Sequence, residues 1–83
     1  MPEHTLTSGD TIRDTFRDDG TEETIVTFME NGTPKTVTST SPDVATAAQE
    51  IKSTGYLLDP DTAVIIEYEG DVLTAISYEQ TVP

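Results

Sequence analysis

The chain has 83 residues and no cysteine, and it carries sixteen acidic side chains against four basic ones, a formal net charge of −12. This length predicts a single domain, and the lack of thiols excludes disulfides and thiolate metal sites. The charge argues against direct binding to nucleic acid or to anionic membranes, because both need cations on the protein surface. No stretch approaches the roughly 20 apolar residues of a membrane span, and the first residues do not resemble a signal peptide. A cytoplasmic or virion-associated location is therefore expected.

Residues 1–10 are polar and contain Ser8-Gly9-Asp10, so they are predicted to form an N-terminal arm or a loosely attached first strand. The only histidine, His4, lies in this arm. A general base needs a fixed position near a substrate, and nothing in the arm indicates one. We therefore expect His4 to be a solvated side chain without a catalytic role.

Three segments after the arm have the composition of β-strands. Residues 11–17 alternate polar and apolar side chains, and residues 24–29 are rich in β-branched and aromatic ones. The sequence Asp18-Asp19-Gly20-Thr21 between them predicts a turn. Asn31-Gly32 is a strong hairpin signal and leads into a threonine-rich strand at 35–39. The three segments are predicted to form consecutive antiparallel strands.

A single amphipathic helix is predicted from Ser41 to Gly55. Ser41 suits the N-cap position, and Pro42 suits the first helical position, where no N–H is needed. Gly55 suits a left-handed cap at the C-terminus. The spacing i, i+3, i+4, i+7 predicts one narrow apolar stripe, made of Val44, Ala47, Ala48 and Ile51.

The last third of the chain is predicted to form another hairpin. Residues 63–68 are the most apolar strand, and residues 72–78 return after a turn at Glu69-Gly70-Asp71. The bulkier alternate side chains of the first strand are expected to face the helix, namely Val64, Ile66 and Tyr68. Three apolar residues are then expected on the opposite face: Ile65, Leu73 and Ala75. A cluster of them would indicate an interface, whereas scattered exposure would carry no function, and a different strand register would place them elsewhere.

These elements give the order β-β-β-α-β-β and predict a small α+β domain over residues 11–79, with residues 80–83 as a frayed tail. One helix can cover only one face of the sheet, and the sheet is predicted to be antiparallel or mixed. This arrangement of strands around one helix resembles the β-grasp, ubiquitin-like fold. The C-terminus lacks the di-glycine that ubiquitin-like modifiers use for conjugation, which argues against a modifier role.

No residue pattern indicates catalysis, a cofactor or a metal site. There is neither a second histidine nor a cysteine to support nucleophilic chemistry. Paired carboxylates are frequent, but glycoside hydrolysis needs a cleft between them, which a domain of this size rarely forms. Asp59-Pro60-Asp61 begins like a calcium loop but lacks the glycine and the later glutamate of that motif. The chain is therefore predicted not to be an enzyme.

The acidic composition is typical of proteins that work in concentrated salt. With only two lysines and sixteen threonines, the chain resembles haloarchaeal proteins and proteins of the viruses that infect such cells. Carboxylates repel one another at low ionic strength and destabilise the compact state, whereas about 1 M salt shortens the Debye length to roughly 3 Å. We therefore expect monovalent salt to stabilise the fold. An acidic protein from a low-salt environment is the alternative explanation.

Two kinds of function fit these observations. The first is a non-enzymatic module that binds a protein partner or further copies of itself through a sheet face or edge, as a virion component or small accessory subunit does. The alternative is an inhibitor of a DNA- or RNA-binding enzyme whose carboxylates imitate phosphates; in size and charge the chain is similar to small phage inhibitor proteins. The candidate carboxylates for this role lie on and beside the first hairpin: Asp14, Asp18, Asp19, Glu22 and Glu23. Binding by such a decoy would weaken as salt rises.

Overall fold

The computed structural model describes residues 2–53, 55 and 61–80. The elements are β1 (Glu3–Thr5), β2 (Thr11–Phe16), β3 (Glu22–Glu30), β4 (Thr33–Ser39), α1 (Pro42–Ser53), β5 (Thr62–Glu69) and β6 (Val72–Gln80). The predicted α+β class is confirmed, with β1 as a sixth strand inside the predicted arm. Asp59 and Pro60 of the segment that begins like a calcium loop, and residues 81–83 of the predicted tail, lie outside the described residues. In the described part of the chain, no helix is both long and apolar enough to cross a membrane.

The six strands form one mixed sheet in the order β1-β5-β6-β4-β3-β2. All neighbours are antiparallel except β4 and β6, which are parallel and meet where Thr38 lies opposite Val72. The Thr38 N–H donates to the Asp71 carbonyl at 3.0 Å beside this contact. The short parallel contact joins two three-stranded halves, β1–β5–β6 and β4–β3–β2.

The turn and cap signals of the sequence act as predicted. Asn31 and Gly32 have φ angles of 51° and 80°, the left-handed geometry that a two-residue hairpin requires at both positions. Helix α1 begins with a bond from the Ala45 N–H to the Ser41 carbonyl at 3.1 Å. Gly55, with a φ of 67°, lies just beyond the last helical turn, where glycine adopts this conformation without steric cost.

The buried stripe of α1 differs from the predicted one at a single position. Its buried side chains are Val44, Ala45, Ala48 and Ile51, whereas Ala47 is half-buried and packs against the rim of the core. The helix contacts β6 as well as β3 and β2. The helix therefore packs against strands of both halves of the sheet.

The sheet curls so that the inner faces of its two halves meet. The ring of His4 in β1 stacks on Phe28 in β3 with centroids 4.3 Å apart, although three strands lie between them in the sheet. The ring of Tyr68 in β5 lies 5.3 Å from the same phenyl ring. The core lies between these halves and α1, and its largest fully buried apolar side chains are Val26, Val37, Ile51, Val64, Ile66 and Leu73.

The prediction that Leu73 lies on the face away from the helix is wrong. Glu67 of β5 lies opposite Ala75, but the next residue, Tyr68, lies opposite Leu73, so the register shifts by one residue. The extra residue in β6 is Thr74, and it reverses the alternation of side chains between the two faces. Leu73 is consequently 1% exposed and part of the core.

The hydrogen bond between Tyr68 and Glu30 predicts a loss of stability at alkaline pH. The Tyr68 hydroxyl donates to a Glu30 carboxylate oxygen at 2.6 Å, and this hydrogen bond, together with burial, raises the pKa of Tyr68 above its ordinary value near 10. The bond therefore stabilises the fold fully at pH values below the pKa that Tyr68 has in the unfolded chain. This contribution is lost as pH rises through the higher pKa of Tyr68 in the folded protein. Urea unfolding across this range should show a falling free energy of unfolding. In Tyr68→Phe the free energy of unfolding should decrease less steeply with pH. The same pH dependence in this variant and in the wild type would contradict the role given to the Tyr68 hydrogen bond.

Candidate interaction surfaces

The carboxylates predicted on the first hairpin are largely engaged within the chain. Asp14 accepts a bond from Lys52 Nζ at 3.4 Å and one from the Thr24 hydroxyl at 3.4 Å. Glu22 accepts from the side-chain amide of Gln49 at 3.0 Å. These contacts tie the inner face of the hairpin to α1, so the two carboxylates serve the packing of the helix.

The other side of the hairpin is also partly neutralised. Glu23 pairs with Arg17 at 2.7 Å, and this hydrogen bond is the main cause of a raised pKa at the arginine. The pKa of Asp19 is lowered because the side chain and backbone of Thr21 hydrogen-bond to its carboxylate. Two of the four cations in the chain thus bind acids of this hairpin. Three of the five predicted carboxylates, at positions 14, 22 and 23, therefore bind side chains of the same chain.

A different surface combines exposed apolar side chains with carboxylates. It is the outer face of the β1–β5–β6 half, which we call the outer acidic face. Cross-strand pairing sets its rows: Glu3 opposite Glu67, Glu67 opposite Ala75, Ile65 opposite Ser77, and Glu69 opposite Val72. Its apolar members are Ile65, Val72 and Ala75, with Ala63 opposite Glu79 at one end, and its acidic members are Glu3, Glu67, Glu69 and Glu79.

The apolar members of this face are accessible. Val72 is 57% exposed, and Ile65 and Ala75 are half-buried between their strand neighbours. Two of the three apolar residues predicted for an interface, Ile65 and Ala75, therefore lie on this face. The third position belongs to Val72 instead of Leu73, because of the register shift at Thr74.

The acidic members have no countercharge in the part of the chain that the structure describes. Glu3 and Glu67 lie directly opposite each other on adjacent strands, an arrangement that is destabilising for like charges. Three of the four cations pair elsewhere, as Arg17–Glu23, Lys52–Asp14 and Lys35–Asp71. The fourth, Arg13, lies opposite Ile25 on the other half of the sheet.

The expectation that His4 is a solvated side chain is wrong. Its Nε2 lies 3.0 Å from Asp10 Oδ2, and its side chain is only 24% exposed against 6% for Asp10. The same oxygen accepts from the Thr7 N–H at 2.8 Å. Nothing in the polar sequence of the arm indicates this pair, because it depends on the long-range pairing of β1 with β5. The pair fastens the arm to the core.

Removing the Asp10 carboxylate should loosen this arm. In Asp10→Ala the Thr7 N–H and the His4 ring lose their common partner in a site closed to most solvent. We expect a loss of about 1–3 kcal/mol in the free energy of unfolding, the usual cost of leaving a buried donor unpaired. Urea unfolding at constant salt measures it. Asp18→Ala, at an exposed turn, should change the free energy by less than about 0.5 kcal/mol, and equal losses in both variants would contradict this account.

One concavity in the described part of the chain is lined mainly by hydroxyl and apolar side chains. It is an open groove of about 520 Å³ where β4 ends and β6 and α1 begin, lined by Arg17, Thr38, Ser39, Thr40, Ser41, Val44, Val72, Leu73 and Thr74. Among the described residues, no buried side-chain polar atom lacks a hydrogen-bond partner. Over the same residues, no group of three or more histidine or carboxylate side chains is placed to hold a metal ion.

Comparison with protein-family models, with curated proteins and with solved structures gives no match to this chain. The resemblance to the β-grasp fold therefore rests on the order of the elements alone. What the chain does has to be argued from its geometry and charge.

Proposed function

We propose that this chain is a non-enzymatic protein-interaction module from a halophilic cell or its virus, and that the outer acidic face is its binding surface. One observation carries the proposal. On the outer face of the sheet, apolar side chains lie beside carboxylates that have no countercharge within residues 2–53, 55 and 61–80. Among the residues that the structure describes, the one helix covers the inner face of the sheet and leaves the outer face for a partner. A virion component or a small accessory subunit is the kind of protein that this describes.

The distribution of charge supports adaptation to salt. Three of the four cations are already paired, so most carboxylates are left to repel one another. The opposed pair Glu3 and Glu67 is the most direct case. In concentrated salt this repulsion is screened, and the apolar contacts of a sheet-face interface remain effective.

The alternative function, imitation of nucleic acid, has weaker support from the geometry. Its candidate carboxylates at positions 14, 22 and 23 bind Lys52, Gln49 and Arg17. A decoy would have to break these contacts before it presented its charge. Complex formation that survives in molar salt would favour the interaction module over the decoy.

Site-specific photo-cross-linking in a halophilic archaeal host tests the proposed surface. A photoreactive phenylalanine analogue replaces Ser77, which is exposed on the outer acidic face, and in a matched variant replaces Glu50, which is exposed on α1. We expect discrete protein adducts from position 77 and none from position 50. Equal adducts from both positions, or none from position 77, would overturn the proposal.

A further inference from the structure

We propose that the segment bound by the outer acidic face is a basic amphipathic helix with one apolar row flanked by lysine or arginine. This inference rests on the proposed function and adds the chemistry of the partner. It follows from the shape of the apolar strip on this face and from the charges around it.

The strip has the dimensions of a short helix contact. It begins at Ile65, continues over Ala75 and ends at Val72, which lies opposite Glu69. From residue 65 to residue 69 the strand advances about 13 Å at roughly 3.3 Å per residue. A helix advances about 5.4 Å per turn, so two to three turns with apolar residues at i, i+3 or i+4, and i+7 cover the strip.

The charges around the strip have one sign. Glu3 and Glu67 lie along the β1 side, Glu69 lies at one end and Glu79 near the other. No cation of the chain pairs with any of them among the described residues. A helix with basic side chains beside its apolar row would place countercharges over these carboxylates, which also relieves the repulsion between Glu3 and Glu67.

A second copy of the chain does not offer this chemistry. Two outer acidic faces brought together would oppose carboxylates to carboxylates. Counting pairs among the described residues, the other half of the sheet has Arg13 as its one cation without a partner on the outer face. One such charge cannot compensate four acids. The complementary charge has to come from a different, basic protein.

Fluorescence anisotropy with a labelled model peptide tests the inference. The probe is an amphipathic helix of about 18 residues, or five turns, with a leucine row flanked by lysines. One control peptide has serine for leucine, and another has glutamate for lysine. We expect the probe to bind the intact protein at about 0.1 M and at about 1 M KCl. The glutamate control should bind at least about tenfold more weakly than the probe at the lower salt, where charge is little screened, and the serine control at least about tenfold more weakly at the higher salt, where apolar contacts dominate.

Two protein variants separate the face from the general acidity of the molecule. Glu3→Gln combined with Glu67→Gln removes two charges from the face, and Asp18→Asn combined with Glu50→Gln removes two exposed charges elsewhere. We expect the first variant to bind the probe at about 0.1 M KCl at least tenfold more weakly than the second. Equal binding by the two variants would mean unspecific attraction and would overturn the inference. So would the absence of any binding.

Two further outcomes keep this inference distinct from the proposed function. Adducts from position 77 together with failure of the basic probe would retain the interface and reject the basic partner. Sedimentation of the wild type as a dimer that Val72→Ser converts to a monomer would show that a second copy occupies the face, which also rejects the basic partner. Failure of the cross-linking experiment itself would reject the interface.

Discussion

Leu73→Asp is expected to unfold the protein, whereas Val72→Asp, one residue earlier, is expected to leave it folded. Leu73 is 1% exposed in the core and Val72 is 57% exposed on the outer face. Truncating a buried leucine costs about 2–5 kcal/mol, and an unpaired carboxylate in the same place adds its desolvation. A small domain is stabilised by only about 5–15 kcal/mol in total. Leu73→Asp is therefore expected to remove most or all of the free energy of unfolding.

Circular dichroism and urea unfolding in about 3 M KCl measure this difference, because high salt limits the effect of the added charge itself. The two variants carry the same extra carboxylate, so each is the control for the other. If Val72→Asp unfolded the chain and Leu73→Asp did not, the uninterrupted alternation read from the sequence would be correct and the register shift at Thr74 would be wrong.

The elements themselves could be predicted because their signals are local. Asn31-Gly32 specifies a hairpin through its own backbone preferences, and the cap residues Ser41, Pro42 and Gly55 specify the ends of a helix. The bulge could not be predicted. Thr74 has the same preference for strands as its neighbours, and the shift is visible only in the pairing of β6 with β5. One such residue was enough to reverse the predicted orientation of Leu73.

The candidate site was predictable to a similar extent. Ile65 lies on the predicted face because side chains alternate regularly along β5. Ala75, which follows the bulge in β6, also lies on the predicted face. The grouping of Glu3 with Glu67 was not visible, since the two residues are far apart in sequence and meet only when β1 pairs with β5. Likewise, the partners of Asp14 and Glu22 lie on α1. Clusters of acids along a sequence therefore do not show which carboxylates remain uncompensated.

The second large effect expected is that of salt on stability. The free energy of unfolding should rise by a few kcal/mol between about 0.1 M and 3 M KCl, since two unit charges 4 Å apart still repel by about 1 kcal/mol in water and this chain has many unpaired carboxylates. Urea unfolding followed by circular dichroism at each salt concentration measures the rise.

The Glu3→Gln, Glu67→Gln variant should be more stable than wild type at low salt and should gain less from added KCl. The Asp18→Asn, Glu50→Gln variant should behave more like wild type.

The shape of the salt dependence identifies its cause. Screening is largely complete once the Debye length reaches about 3 Å near 1 M salt, whereas stabilisation by solutes excluded from the surface continues to grow with concentration. A rise that occurs mainly below about 1 M KCl, and that shrinks when Glu3 and Glu67 are neutralised, would assign it to repulsion on the outer acidic face. Equal stability at all salt concentrations would show that the acidity is not a requirement of the environment. The carboxylates would then have to be explained by what they bind.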